Sequence, residues 1–397
     1  MRIALASDWF LPRVGGVELQ MRDLALQLRS RGHEVEIITG TPGTPEVDGI
    51  KIHRVDMGPL LPRFFSRGQD MSPSVPLNFW TLLSDWKACW GRWLVNPLDR
   101  LMRERRFDVV HSHSAYSPLA LAACWSARRA RVPSVLSEHS VLKGAGRALL
   151  EAAERTWRWS TWPDVIAAVS NYVANEMRTQ TGREVELLPN GINPDDWLKS
   201  CGPDTPRVIS VMRLMPRKRG IDFVRSIPQV LDRLAWETPP RFTLVGDGPQ
   251  RRRIEREAAY LGVTGNLEMT GRLERSQVRE LLSQSTIFVL PTIKEALSIA
   301  VLEALSAGLP IVAMNHGGVG DIITHGREGF LANTHEEFCG YTAQLLSNPE
   351  LRGRMAAVTR QAATRFSWDG IVNRHLDIYE RARIQQAQAH RLWRTAS

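Results

Sequence analysis

The chain has 397 residues, 43% of them hydrophobic and 23% charged, which is enough apolar material for two domain cores and too much for a disordered chain. No apolar run approaches the roughly 18 residues of a bilayer-spanning helix, and the N-terminus reaches a charge at Arg2 without the apolar segment of a secretory signal. Lys and Arg number 51 against 42 Asp and Glu, but they form neither a long basic stripe nor a known module, which argues against nucleic acid as a partner. A cytoplasmic location is expected.

Residues 2–7 (RIALAS) read as a buried parallel strand. Asp8 to Val17 (DWFLPRVGGV) is a loop. Glu18 to Ser30 is a helix with Leu19, Leu24 and Leu28 on one face, ended by Gly32. Val35–Thr39 (VEIIT) completes a strand–helix–strand crossover. The pattern recurs with a strand at Phe107–His111 (FDVVH), a helix over 118–129, and strands at Ser134–Ser137, Asp164–Val169 and Val185–Leu188, the last two separated by a helix near 171–180. Such alternation predicts an α/β fold with an open, doubly wound parallel sheet, whose ligands lie beyond the C-terminal strand ends.

Gly15 and Gly16 fall at such a position. There a bare backbone approaches a phosphate closely, and the following helix adds its N-terminal dipole. A plain turn would also explain them, and the spacing is not the GxGxxG of a dinucleotide site. His111 and His113, in HSHS, begin at the end of one strand, and His139, in SEHS, follows the next. Their imidazoles could reach one crevice, with His139 placed to hydrogen-bond a substrate hydroxyl. The alternative is capping or surface roles for all three. No third ligand at useful spacing supports a metal.

Between residues 60 and 105 the alternation breaks. Phe64, Phe65, Phe79 and Trp80 are followed by Trp86, Trp90 and Trp93 at the spacing of one helical face. Lys143, Arg147, Arg155, Trp157, Arg158, Trp159 and Trp162 form a second aromatic and basic group. Helices of this kind suit an interfacial surface or a lipid acceptor, and the moderately basic surface suits peripheral contact with an anionic membrane. The other reading is that the tryptophans fill the helical layer over the sheet.

Pro189–Trp197, with Asn190 and Gly191, reads as a turn-rich hinge, and Cys201–Arg207 as a short linker. Val208–Met212 (VISVM) opens a second domain. Residues 1–196 carry 24 basic and 22 acidic side chains, and residues 197–397 carry 27 and 20. Arg213, Arg217, Lys218 and Arg219 concentrate that second excess just beyond a strand end, where Arg213 and Lys218 can grip the two phosphates of a diphosphate. Phe242–Val245 is the next strand. Gly246 and Gly248 bracket Asp247 in a tight turn suited to a base or phosphate contact. A helix over 250–260 and a strand at Asn266–Met269 follow. Cys89, Cys124, Cys201 and Cys339 lie far apart, without the close pairs of zinc or redox motifs.

Pro291-Thr-Ile-Lys-Glu295-Ala-Leu-Ser298-Ile-Ala-Val-Leu-Glu303 is the sharpest signal. The strand Thr286–Leu290 feeds a loop, and a helix is expected from about Ala296 to Ser298, its N-terminal amides suited to a phosphate. On a continuous helix Glu295 and Glu303 would stand about 12 Å apart, one carboxylate for each end of an elongated ligand. Carboxylates accept the two hydroxyl hydrogens of a ribose or hexose diol. Phosphate at the helix end and diols at the carboxylates describe a nucleotide sugar. Gly308–Ala313 and Asn315-His316-Gly317-Gly318 add a strand and turn, and Trp368–Ala382 a last helix.

These phosphate grips on two Rossmann-like halves resemble a GT-B glycosyltransferase of family 4 over nearly the whole chain, the Glu-x7-Glu motif being Glu295 and Glu303. SDWFLPRVGGVE, HSHSAYS and SEHS look most like the catalytic subunits of phosphatidylinositol N-acetylglucosaminyltransferases and related bacterial retaining enzymes. The resemblance implies two doubly wound parallel-sheet domains facing a central cleft. They would be an acceptor-side domain over 1–196 and a nucleotide-sugar-binding domain over 197–366, with 367–397 crossing back to the first. It also implies that Glu295 holds hydroxyls of the transferred sugar and Glu303 the ribose, and that Arg213 and Lys218 stabilise the leaving diphosphate. Gly15, Gly16, Asn190, Gly246, Asp247, Ser298 and Ile299 would contact the donor, and His139 the sugar near its reacting carbon. The segment RKRG is one residue longer than the usual RKG, which leaves Arg219 competing with Lys218 for the phosphate. His111, His113 and Arg219 are candidates for contact with the acceptor, without an assigned role.

The implied reaction is retaining transfer of a hexose or N-acetylhexosamine to a hydroxyl, on a lipid or a small polyol or glycan, with no metal or cofactor. UDP-N-acetylglucosamine is the favoured donor and GDP-mannose the alternative. A sugar-nucleotide 2-epimerase, a phosphorylase or a non-catalytic sugar-nucleotide sensor shares the two-domain plan.

Overall fold

The computed structural model describes residues 1–56, 95–141, 144–201, 205–234 and 239–396. Two units emerge from its contacts: Met1–Gly191 with Trp368–Ser397, and Ile192–Ser367.

The first unit begins β1 (Arg2–Ser7), α1 (Gly16–Ser30), β2 (Glu34–Thr39), β3 (Glu46–Val47) and β4 (Ile50–Arg54). It continues α2 (Asn96–Arg105), β5 (Val109–His113), α3 (Pro118–Ala130), β6 (Ser134–Glu138), α4 (Gly144–Trp157), β7 (Val165–Ala168), α5 (Asn171–Thr181) and β8 (Glu186–Leu187). The sheet order is β3-β4-β2-β1-β5-β6-β7-β8. All pairings are parallel except β3 with β4. Alternate residues of β1 serve two cores. Ile3 and Leu5 pack with α1, and Ala4 and Ala6 pack with Leu98 and Met102 of α2 and Leu119 and Ala123 of α3. A sheet covered on both faces needs strands apolar throughout, which is why RIALAS reads as a run rather than an alternation.

The second unit runs β9 (Arg207–Val211), α6 (Gly220–Leu231), β10 (Arg241–Val245), α7 (Arg251–Tyr260), β11 (Leu267–Gly271), α8 (Arg275–Ser283) and β12 (Ile287–Leu290). Then come α9 (Ile299–Ser306), β13 (Ile311–Met314), β14 (Gly329–Ala332), α10 (His335–Ser347) and α11 (Pro349–Ala363). Its sheet, ordered β11-β10-β9-β12-β13-β14, is parallel throughout. After it the chain returns to the first unit as α12 (Trp368–Ala396), whose Trp368, Ile371, Val372, Ile378 and Tyr379 join the core with Ile3, Leu5 and Leu24. In each sheet the order reverses beside the first strand, between β1 and β5 and between β9 and β12. These switch points are where open parallel sheets admit ligands. Among the described residues no helix is long and apolar enough to cross a membrane.

Two expectations are corrected, and one choice between readings is decided for two tryptophans. The strand expected to end at His111 continues through His113, so both imidazoles lie within β5 and not beyond it. Hydrogen bonds to His111 from neighbouring elements compensate its burial there. The helix carrying Glu303 starts at Ile299, capped by the Ser298 hydroxyl, so Glu295 sits in the preceding loop and the helical separation of the two glutamates does not apply. Trp159 is fully buried, its indole N–H donating to the Leu150 carbonyl (3.1 Å), and Trp162 packs against Trp125 at 5.1 Å. These two fill the helical layer, while Arg155 and Arg158 are exposed. Phe64, Phe65, Phe79, Trp80, Trp86, Trp90, Trp93, Cys89 and Lys143 lie outside the described residues.

Candidate active site

In the second unit the switch point is built from the loops after β9 and β12. β9 ends at Val211; the N–H of the next residue, Met212, donates to the Val245 carbonyl, and Arg213 follows, exposed. The chain makes a short turn over Pro216–Lys218 and enters α6 through Arg219, whose φ of 57° is left-handed. That turn separates the two adjacent cations. Lys218 Nζ reaches Glu295 Oε2 at 2.5 Å, while the Arg219 guanidinium pairs with Asp222. The Thr292 hydroxyl donates to the Lys218 carbonyl (3.2 Å), tying the loops together.

Glu295 is 8% exposed, and its backbone is pinned as firmly as its side chain. Its carbonyl accepts from Gly318 N–H (2.7 Å), and it forms a parallel bridge with Gly317. Gly317 has φ 107°, and a Cβ there would lie 2.2 Å from the Glu295 carbonyl oxygen, so only glycine lets the two backbones touch. Gly246 does the same beneath β9: φ is 131°, and a Cβ would lie 1.9 Å from the Met212 oxygen. Asp247 is exposed and turns back to accept from Gly248 N–H (2.7 Å). The Ser298 hydroxyl accepts from Val301 N–H, and Ile299 opens α9. Glu303 is also 8% exposed, with Arg275 Nε 3.6 Å from its carboxylate.

In the first unit the site residues gather above β1, β5 and β6. Gly15 caps α1 and Gly16 is its first residue. Nearby, Asp8 accepts from Leu119 N–H (3.0 Å), and burial pushes its carboxyl up to about 7. His111 is fully buried, with Nδ1 2.9 Å from the Tyr379 hydroxyl and Nε2 2.7 Å from Ser137 Oγ. His113 Nδ1 lies 3.0 Å from His139 Nε2. His375 of α12 stands 5.6 Å from His111, ring to ring. Burial holds His111 and His113 well below the ordinary histidine range and brings His139 and His375 to about 4. Neighbouring imidazoles add to the lowering at His111, His113 and His139, while the Asn190 amide partly offsets it at His139.

Glu138 underlies this group. Its carboxylate accepts from the backbone N–H groups of Ala115 (2.7 Å), His139 (2.9 Å) and Ser140 (2.8 Å), and from the Ser114 hydroxyl (3.1 Å). Burial pushes it up to about 7 against those donors. A small pocket is lined by His111, His113, His139, Asn190 and His375, among others.

The structure thus brings Lys218, Glu295 and the Gly317 turn together in one unit, and His111, His113, His139 and Asn190 together in the other. Sequence reasoning passed over Asp8, Glu138, Arg275, His375 and Tyr379. His375 and Tyr379 had a signal, since they stand four apart on the apolar stripe of the last helix. Arg275 had none, because its partner lies on another helix.

The Glycosyltransferase Family 4 profile matches residues 14–196, and the Glycosyl transferases group 1 profile matches 199–362. One phosphatidylinositol N-acetylglucosaminyltransferase subunit from Homo sapiens is 26% identical over 333 residues, covering 81% of this chain but 63% of the human protein's length. The Arabidopsis thaliana protein of the same name is 26% identical over 400 residues, covering 96% of this chain and 82% of the relative. The crystal structure of Anabaena Alr3699/HepE in complex with UDP-glucose superposes with a TM-score of 0.74 at 17% identity, covering 96% of this chain and 99% of that one. With both profiles matched in order and two parallel-sheet units of the corresponding architecture, the chain belongs to glycosyltransferase family 4 and has the GT-B fold.

Proposed function

We propose that the protein is a retaining transferase, moving a hexose or N-acetylhexosamine from a nucleotide-diphosphate sugar to an acceptor hydroxyl with formation of an α-glycosidic bond. UDP-N-acetylglucosamine is the favoured donor, and the acceptor is a membrane lipid, inositol-containing or other, or a small polyol or glycan. The observation that carries the reading is the contact of Lys218 with Glu295 at the switch point between β9 and β12. It sets a cation for a departing phosphate beside a carboxylate for sugar hydroxyls.

In this reading Glu295 accepts hydrogen bonds from the transferred sugar, and Lys218 and Arg213 neutralise charge as it develops on the leaving diphosphate, where electrostatic catalysis contributes most. The amides of Gly16 and of Ser298–Ile299 bind phosphate oxygens. Glu303 takes the ribose diol, and the Gly246–Asp247 turn borders the base. Gly15 lets α1 begin close to the phosphate. His139, beside Asn190, hydrogen-bonds the sugar near its reacting carbon. The acceptor hydroxyl attacks from the leaving-group face and passes its proton to a phosphate oxygen, without a carboxylate nucleophile of the glycosidase kind. A trapped covalent sugar–enzyme adduct would refute that step.

Lys218 and Arg213 supply the positive charge in this reading, so activity should survive exhaustive chelation. Loss with chelator and recovery with a divalent ion would replace it. The exposed Arg155 and Arg158 support peripheral contact with an anionic inner-membrane face. The donor is supported by the names of the human and plant relatives and by the UDP-glucose bound to the Anabaena protein. Calorimetric titration with UDP, GDP and their sugar conjugates tests it: UDP-series binding sustains the reading, GDP-series binding moves it to mannose transfer, and no binding by folded protein ends it.

A further inference from the structure

The two histidines that meet at the ends of β5 and β6 are coupled through one hydrogen bond, and the coupling has a chemical consequence. His113 Nδ1 and His139 Nε2 are 3.0 Å apart, with ring centroids at 5.0 Å. One proton lies between two such nitrogens, so the tautomers of the rings are tied. If His113 Nδ1 donates, the other proton of His139 sits on its Nδ1, which becomes a donor. If His139 Nε2 donates, its Nδ1 is a bare acceptor. We propose that His113 is a positioning residue for His139, holding that ring in one orientation and one tautomer toward the transferred sugar. This inference rests on the proposed contact of His139 with the sugar.

The surroundings give His113 the rigidity for that task. It is 3% exposed, and its ring lies 4.3 Å from that of His111 at an angle of 31°. His111 is itself held at both nitrogens, by Tyr379 and Ser137. On the far side Glu138 fixes the backbone of His139 through its N–H. The groups facing the pair are His111 of β5, Ser137 and Glu138 of β6, Asn190, Gln20 of α1, and His375 and Tyr379 of α12. Glu138, the carboxylate among them, is engaged by backbone amides and a hydroxyl. Burial disfavours an imidazolium at both rings, and the Asn190 side chain offsets this only in part at His139. With charge excluded, tautomer and orientation are the remaining variables. His113 Nε2 and His139 Nδ1, the nitrogens outside that bond, are buried and meet no partner at full hydrogen-bond geometry among the described residues, while the Asn190 side chain acts on His139.

The test uses the full chain with imidazole nitrogens labelled with ¹⁵N. Wild-type His139 should show one neutral tautomer. His113→Asn, which keeps a polar atom near the Nδ1 position, should preserve it along with most of the turnover. His113→Leu should give a mixture of tautomers and lower kcat on the order of 100-fold while leaving the donor KM within a few-fold. A single unchanged tautomer and unchanged kcat in His113→Leu would overturn the inference. Should that variant fail to fold, two tautomers in the wild-type spectrum, or no difference in kcat between His113→Asn and wild type when the tautomer has changed, would overturn it equally. Undiminished transfer by His139→Ala would instead refute the sugar contact, whatever the spectra of the His113 variants.

Discussion

Lys218 and Glu295 are each other's counter-ion in a site where their side chains are only 15% and 10% exposed. Removing one strands the other, and a buried charge without its partner is the costly outcome. Lys218→Met should therefore lose about 1–3 kcal/mol of stability and reduce kcat on the order of 10²- to 10³-fold, read by thermal unfolding and initial rates. Adding Glu295→Gln to it should restore much of the stability and none of the transfer. Failure of the double variant to recover stability would mean that the two side chains do not act as a pair. Glu295→Gln alone should lose transfer while remaining folded, and full transfer would remove Glu295 from its proposed role. The same pair shows how a residue becomes legible. Beyond a strand end, cations and carboxylates stand out against apolar neighbours, so Arg213, Lys218, Glu295 and Glu303 could be picked out. Which of Lys218 and Arg219 meets Glu295 depended on a left-handed turn that neighbouring residue types do not announce.

Elements position these residues through backbone contacts as much as side chains. The Glu295–Gly317 bridge joins the loop after β12 to the loop after β13. Gly317→Ala would put a methyl into the Glu295 backbone and require a left-handed alanine. It should destabilise the second unit by about 1–3 kcal/mol and reduce transfer more than it reduces nucleotide binding. Calorimetry beside rate measurements separates the two, and unaltered kinetics would show that the loop does not set Glu295. Strands such as RIALAS and TIFVL were readable because burial on both faces leaves them apolar throughout. β5 was misread at its end because His111, Ser112 and His113 look like a loop until Tyr379 and Ser137 are seen to satisfy His111. The short hairpin of β3 and β4 went unseen, since Glu46, Asp48 and Lys51 mask its pattern. Tertiary partners decided these cases, and no local period records them.

At the scale of the molecule the buried histidines govern the response to acid. His111, His113, His139 and His375 all titrate below their ordinary range, His139 and His375 at about 4. An unfolded chain protonates such groups near about 6.5. As the pH falls from there to 4 the unfolded state binds more protons, and stability drops. Asp8 and Glu138 act in the opposite sense. Raised to about 7, they contribute stability at low pH that is lost as the pH climbs from about 4 to 7. Four imidazoles against two carboxyls leave a net loss on acidification. The first unit should melt at least about 10 °C lower at pH 4.5 than at pH 7, with protection in hydrogen exchange lost there before it is lost in the second unit. Equal loss in both units would refute a role for the histidine group.

The route of the chain through the two units sets the order in which they can be finished during synthesis. Residues 192–367 form one unbroken segment, whereas the first unit lacks a wall of its core until residues 368–382 have been made. Leaving the ribosome, Ile3, Leu5 and Leu24 must wait for Trp368, Ile371 and Tyr379, while the later-made segment already holds everything it needs to condense. The half synthesised first is completed last, and its uncovered apolar face is what a chaperone would meet in the interval.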